Sequence, residues 1–375
     1  MSQTCRPPRL GPPRAPGQAH GGDVWGAARA LGRPVGEILD LSASLNPLGP
    51  PPGLGGVISR ALELICHYPD RNATELRRAL ARRLELPPEA VLPGNGSTAL
   101  IRLLARALTM PDIVLLAPAF MEFPRALAQF GAHFHFQFLS EHNHFAPTVH
   151  DLDQLWERRP GAVILSNPLT PSGGLVDTAM LDHLLAQAQS HCAWLVVDEA
   201  FIDFAPAPAR AWAAKAVMSY DRLVVLRSLT KFYCLAGLRL GYLLCHPDTA
   251  VQLAPLGEPW SVNTLAQAAG VWCLEQTDYA TRTRQVVRRW REQQAQALRA
   301  RGLEPFPSQA NYLLVRLPSE GPDASQVAAR CFQEGVLVRD CASFAGCGPH
   351  HLRLAVAAPE EQQRLLAALD AALEK

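Results

Sequence analysis

The chain has 375 residues, 48% of them hydrophobic and 18% charged, which fits one large domain plus a smaller one and excludes a disordered polymer. Its 35 basic and 34 acidic side chains leave a formal net charge of +1, which argues against a nucleic-acid coat or an anionic-membrane binder. No apolar run reaches the roughly 18 residues that a bilayer span needs.

Residues 1–19 are rich in Pro and Arg (Arg6-Pro7-Pro8-Arg9), lack the apolar stretch of a secretory signal and predict a disordered tail. An N-terminal arm over 20–45, a large domain over 46–283 and a small C-terminal domain over 284–375 are expected after it. Nine cysteines, odd in number and without CxxC spacing, read as reduced thiols of a cytoplasmic protein.

Strands are predicted at 113–117, 162–166, 194–197, 222–227 and 240–244, with helices at 98–108, 123–130 and 180–190 between several of them. The strands are continuously apolar instead of alternating. That is the mark of a largely parallel sheet covered on both faces, with a site at the carboxyl ends of the strands. The stretch 263–301 holds helix formers without proline and predicts one long helix. A strand at 312–316, a helix at 324–334, short strands at 336–339 and 352–356 and a helix at 359–374 make up a smaller α+β unit.

Four segments bear on chemistry. Pro93-Gly94-Asn95-Gly96-Ser97-Thr98-Ala99 opens a helix, where glycines let backbone N–H groups approach an anion. It matches the loose GxGxxA form, but the region some 20 residues on reads Leu115-Leu116-Ala117-Pro118-Ala119-Phe120 and holds no acidic residue for a dinucleotide ribose. A single phosphate is the better guest. His133, His135, His142 and His144 could bring two imidazoles onto one face, but no Cys or carboxylate completes a ligand set. The segment reads as an exposed strand and turn, not a metal site.

The run Leu195-Val196-Val197-Asp198-Glu199 ends a strand on carboxylates. Asp198 could hold a pyridine nitrogen protonated; the other readings are a helix cap or a magnesium pair, and the latter lacks its Gly-Lys-Ser/Thr phosphate loop. Arg227-Ser228-Leu229-Thr230-Lys231 places a lysine just past a buried strand. Lys231 could form a Schiff base with an aldehyde cofactor, with Arg239, Ser228 and Thr230 on a phosphate; the plain alternative is a surface Lys and Arg beside a turn.

Taken with His20-Gly21-Gly22, Asn46-Pro47-Leu48-Gly49-Pro50, Tyr68-Pro69-Asp70, Pro259-Trp260-Ser261-Val262-Asn263, Val338-Arg339-Asp340-Cys341 and Leu352-Arg353-Leu354, these motifs resemble the fold-type I pyridoxal-phosphate enzymes. Within that superfamily the chain is similar to the histidinol-phosphate aminotransferase branch and, closer still, to the L-threonine-O-3-phosphate decarboxylases of cobalamin biosynthesis. The resemblance implies an α/β fold-type I transferase and pyridoxal 5'-phosphate as cofactor. Lys231 would carry the cofactor, Asp198 would pair with its ring nitrogen and Phe120 would stack on its face. Gly96, Ser97, Ser228, Thr230 and Arg239 would hold its phosphate, joined by Tyr68 from a second subunit of a homodimer with shared sites. His20, Gly21, Asn46, Arg339 and Arg353 would contact a small phosphorylated amino acid, Arg353 by clamping its carboxylate.

The sequence departs from the family at two positions. Thr170 stands in Asn167-Pro168-Leu169-Thr170-Pro171-Ser172-Gly173 where the family has Asn, and Phe201 follows Asp198-Glu199-Ala200 where aminotransferases have Tyr. Thr170 would then be the one hydroxyl donor to the cofactor's phenolic oxygen, in reach of substrate as well. The activity implied is decarboxylation of O-phospho-L-threonine to (R)-1-amino-2-propanol O-2-phosphate. A histidinol-phosphate-type aminotransferase and a catalytically weak assembly protein of the cobalamin pathway are the alternatives.

Overall fold

The computed structural model describes residues 21–374; the tail and His20 lie outside the described residues. The short strand β1 is Leu39–Asp40. The main sheet is built from β2 (Val91–Gly94), β3 (Ile113–Ala117), β4 (Phe134–Phe138), β5 (Ala162–Ser166), β6 (Trp194–Asp198), β7 (Leu223–Ser228) and β8 (Gly241–Cys245). Later come β9 (Glu304–Pro305), β10 (Tyr312–Arg316), β11 (Val336–Leu337), β12 (Arg339–Asp340) and β13 (His351–Ala355).

The main sheet runs β2-β8-β7-β6-β5-β3-β4, parallel from β7 through β4, with β8 antiparallel to both its neighbours. Every residue of β3, β5, β7 and β8 is buried, because helices cover both faces. One face is closed by Gly96–Ala107 and Glu122–Gln129, whose apolar sides meet Ile113, Leu115, Val196 and Leu226. The other takes Thr178–Ser190, Ala207–Ala216 and Thr264–Glu275 against Val163, Leu195, Val197 and Val225.

A second, smaller core surrounds an antiparallel sheet, β12-β13-β10-β9, with the helices Ala324–Gln333 and Pro359–Leu373 packed on it. Leu39 and Leu41 join this core, and β1 pairs in parallel with β11. A segment near the N-terminus is thereby tied to residues some 300 positions on.

Two expectations need correction. The single long helix over 263–301 is two, Thr264–Glu275 and Thr277–Arg299, because Gln276 leaves helical geometry at ψ 67°. The strand expected at 336–339 splits into β11 and β12, which serve different sheets. The strand ends at 197, 227 and 244 each fall one residue further on, so Asp198 and Ser228 belong to their strands.

Where Thr264–Glu275 crosses Thr74–Leu84, Gly270 is required by close approach: a Cβ there would stand 2.7 Å from Leu240 Cδ2 and 2.8 Å from Leu76 Cδ1. Gly270→Val is expected to cost about 1–3 kcal/mol of unfolding free energy in urea, since a packed crossing must open. Gly36→Ala, which meets nothing within 4 Å, is expected to change little.

Candidate active site

The sheet's register brings the sequence motifs together. Gly94 of β2 and Ser228 of β7 both align with Gly241 of β8, while Asp198 of β6 aligns with Ser166 of β5. Polar groups thus gather at the carboxyl edge of an otherwise apolar sheet.

Ser228 caps the short helix Leu229–Phe232, its Oγ accepting from Thr230 N–H at 3.3 Å and lying 2.7 Å from Thr230 Oγ1. Next to it, the helix Gly96–Ala107 begins at Gly96 with φ +76°. A Cβ on Gly96 would sit 2.6 Å from Arg239 Nη2, and one on Gly241 would lie 3.0 Å from Ser97 N. Only glycine at these two positions lets the Arg239 guanidinium approach the helix N-terminus, and that N-terminus approach β8, so closely. Arg239 itself holds φ +58° and donates from Nη1 to the Ala236 carbonyl at 3.1 Å. This cradle fits the phosphate of a bound anion.

Lys231 sits in the same turn. Burial, then the positive charges of Arg353 and Arg239, lower its ammonium to about 8, against the pull of Asp198 and Asp40. Its Nζ stands 5.8 Å from the centre of the Phe201 ring. Asp198 is pushed up to about 6 by burial, against the Ala200 N–H and Lys231, which favour the carboxylate. Beside it Glu199 forms a buried ion pair with Arg227 at 2.7 Å, and Arg227 also donates to the Arg210 carbonyl. That pair anchors the segment carrying Asp198.

Asn46 is buried and holds the catalytic turn from outside. Its N–H donates to the Lys231 carbonyl at 3.1 Å, and its amide nitrogen reaches the Phe232 carbonyl at 2.7 Å, Tyr279 and Thr283. Asn46 thereby braces the backbone around Lys231. Gly21 approaches Ser42 so closely that a Cβ would meet the Ser42 carbonyl oxygen, and Gly22 N–H donates to Ser42 Oγ at 2.9 Å.

Arg339 and Arg353 are direct cross-strand partners on β12 and β13. Arg339 is buried and donates to Ser343 Oγ at 2.6 Å; its guanidinium is held below its ordinary value by burial and by the charges of Arg353 and others, Arg125 among them. Arg353 donates to the Ser42 carbonyl at 3.2 Å, while its buried Nε has no partner. Two neighbouring guanidiniums and an orphaned buried donor together ask for an anionic guest.

Other expected residues are less closely drawn in. Phe120 is half-buried and packs against the cluster around Ile113 and Leu127. Thr170 is buried in the loop after β5, its Oγ1 3.4 Å from the Tyr312 hydroxyl. Tyr68 is 81% exposed, its ring centre 4.9 Å from that of Trp260. Of the histidines, His135 faces Asp112 at 3.4 Å and His144 lies edge-on to Phe306. Among the described residues no group of three or more His, Cys, Asp or Glu could hold a metal.

Sequence reasoning missed Tyr312, Tyr279, Thr283, Asp40 and Ser42. Each sits in an apolar strand, a long helix or an unremarkable turn, and only tertiary pairing marks it.

The family model for aminotransferase class I and II matches residues 40–369. The chain belongs to this family. It is 35% identical over 353 residues to the threonine-phosphate decarboxylase of Salmonella typhimurium, covering 94% of this chain and 95% of that one. Among solved structures, the L-threonine-O-3-phosphate decarboxylase from Porphyromonas gingivalis has a TM-score of 0.78 at 26% identity, over 90% of this chain and all of that one. The histidinol-phosphate aminotransferase from Clostridium acetobutylicum reaches 0.82 at 26% identity, over 88% and 98%.

Because the folded protein holds the Asp198 proton up to about 6 against an ordinary 3.8, folding takes up protons between those values. The carboxyl's contribution to stability is therefore largest below that window and falls as pH rises through it. In cofactor-free protein, Asp198→Asn removes the buried charge and is expected to be more stable than the parent by about 1–3 kcal/mol at pH ~7, but little different at pH ~4. Urea unfolding at both pH values checks this.

Proposed function

We propose that the chain is a pyridoxal-phosphate-dependent carboxy-lyase that converts O-phospho-L-threonine to (R)-1-amino-2-propanol O-2-phosphate in cobalamin biosynthesis. The observation that carries it is the pairing of Arg339 with Arg353 beside Lys231: two cationic seats for a substrate that bears both a carboxylate and a phosphate. Histidinol phosphate has no carboxylate, but the 2-oxoglutarate that an aminotransferase also takes has two, so what favours the decarboxylase over the aminotransferase is the 35% identity to the threonine-phosphate decarboxylase of Salmonella typhimurium.

The residues present fit the cofactor. Gly96, Ser97, Ser228, Thr230 and Arg239 would hold its phosphate, and Lys231, partly neutral near pH 8, has the amine to take its aldehyde. Asp198, out of water yet beside Lys231, would keep a proton on the ring nitrogen, and Phe120 would cover one ring face. When bound, pyridoxal phosphate supplies an electron sink for the pair released at the substrate's α-carbon.

Which bond breaks at that carbon is decided by the protein's own groups. Arg353 would grip the carboxylate and Arg339 the phosphate, with His20, Gly21 and Asn46 as further substrate contacts. Held at both ends, the substrate would have a single orientation, which would decide the bond that breaks. Lys231 would then return a proton to the α-carbon as general acid. Thr170 would donate its hydroxyl to the cofactor's phenolic oxygen, within reach of the substrate.

We further propose a homodimer in the cytoplasm. Tyr68 and Trp260 are exposed, as are Leu62, Leu64 and Ile65 on the same stretch as Tyr68. That apolar surface suits a second copy whose site Tyr68 would complete at the cofactor phosphate. Among the described residues no helix is long and apolar enough to cross a membrane, and the even charge balance speaks against nucleic acid. Light scattering is expected to give twice the chain mass; a monomer with full activity would overturn the shared site.

The deciding assay incubates cofactor-loaded protein with O-phospho-L-threonine and detects carbon dioxide, alongside histidinol phosphate with 2-oxoglutarate and detection of glutamate. Carbon dioxide without glutamate is expected. Glutamate without carbon dioxide would establish the aminotransferase instead, and neither product would leave a protein of the same fold with weak or no catalysis.

A further inference from the structure

Tyr312 lies on β10, in the sheet of the second core, yet its side chain is spent entirely on the main sheet's site. It is wholly buried, and its ring stands edge-on to Phe201 with centroids 4.9 Å apart at 83°. The Arg353 guanidinium lies 5.0 Å from its ring centre. Its hydroxyl is 3.0 Å from the Leu169 carbonyl and 3.4 Å from Thr170 Oγ1. Burial pushes the phenol up to about 12, so it is neutral wherever the protein is folded and has one proton to give.

The proton count determines the direction of this small network. A carbonyl oxygen can only accept, so the shorter contact, to Leu169, takes the Tyr312 proton. The phenol oxygen then turns lone pairs toward Thr170, and only the Thr170 hydroxyl can donate across that gap. Thr170 also has a single proton. The same hydroxyl is the one that the proposed function assigns to the cofactor's phenolic oxygen, because Phe201 offers none.

We propose that Tyr312 is a positioning residue that competes with the cofactor's phenolic oxygen for the single proton of Thr170. The inference rests on the proposal that pyridoxal phosphate is bound at Lys231. By drawing that proton away, Tyr312 weakens the hydrogen bond to the phenolic oxygen. An oxygen that accepts a weaker hydrogen bond holds negative charge less readily, so the proton shared between it and the Lys231 nitrogen is released at higher pH. Tyr312 thus tunes the cofactor from the other sheet, while its ring seats Arg353. The charged and titratable groups facing this network are Arg353, Asp198 and Cys341 around Tyr312, with Arg239 and Asp40 also acting on Lys231. All five are left unchanged by substitutions at Tyr312 and Thr170.

The test is the pH titration of the visible absorbance of cofactor-loaded protein, a readout independent of turnover. Tyr312→Phe keeps the ring against Phe201 and Arg353 and removes only the hydroxyl. It is expected to lower the midpoint by roughly 0.4 to 1 pH unit, the span of one hydrogen bond. Thr170→Val is expected to raise it by a similar amount, and the double variant to match Thr170→Val alone. A midpoint unmoved or raised in Tyr312→Phe, or a Tyr312 effect that survives in the Thr170→Val background, would overturn the inference while leaving the cofactor reading intact. A protein that never acquires a visible band lost on Lys231→Ala would overturn both.

Discussion

A lysine and an aspartate held out of water at the carboxyl edge of a buried sheet are the constraint on which the rest of this molecule depends. Lys231 and Asp198 are both displaced toward neutrality by burial, the first down to about 8 and the second up to about 6. A freely solvated pair would form a plain ion pair with no chemistry to offer. Holding it dry requires both faces of the sheet to be sealed, which explains the continuously apolar strands and the helices laid on each side. It also requires anchoring. Glu199 clamps Arg227 on the next strand, and Asn46 ties the Lys231 turn to Tyr279 and Thr283 of the long helix.

Such a site costs stability, because two ionisable groups are held out of water. Arg239 and Arg353 depress the lysine further, but each also has a use for an anion: Arg239 borders the glycine-lined cradle, and the buried Nε of Arg353 has no protein partner. The cations therefore serve twice. They tune the amine before a ligand arrives and are neutralised by the ligand afterwards.

The parts legible in the sequence were those fixed by local chemistry. A glycine-rich helix start, a strand ending in Asp-Glu and a lysine past a buried strand each declare themselves within about seven residues, because strand ends and helix caps are local events. The sheet could be read for the same reason, with boundaries off by one where a strand's last residue is polar and belongs to the site. What could not be read depends on pairing across the chain. Asn46 stood out only through the resemblance, and the partners of its amide, Phe232 and Tyr279, lie more than 180 positions away. Tyr312 looked like one more residue of an apolar strand, and β1 has no apolar pattern long enough to announce a strand. The split between β11 and β12 arises because one short run lies between two sheets, which no periodicity records.

The cross-strand placement of Arg339 against Arg353 is the feature least explicable as packing. Like charges directly opposite on paired strands repel, and here both are removed from much of the water that would screen them. Within the protein Arg339 meets Ser343 Oγ and the Phe344 ring, and Arg353 meets the Ser42 carbonyl and the Tyr312 ring. A neutral or cationic substrate would leave that repulsion standing. On the proposed assignment, a substrate with two anionic ends would offset it at both positions. Arg339 and Arg353 stand on the small sheet, while Asp198 and Lys231 stand at the edge of the large one. Tyr312, rooted in the first and touching Thr170 and Phe201 of the second, is a side chain that joins the two.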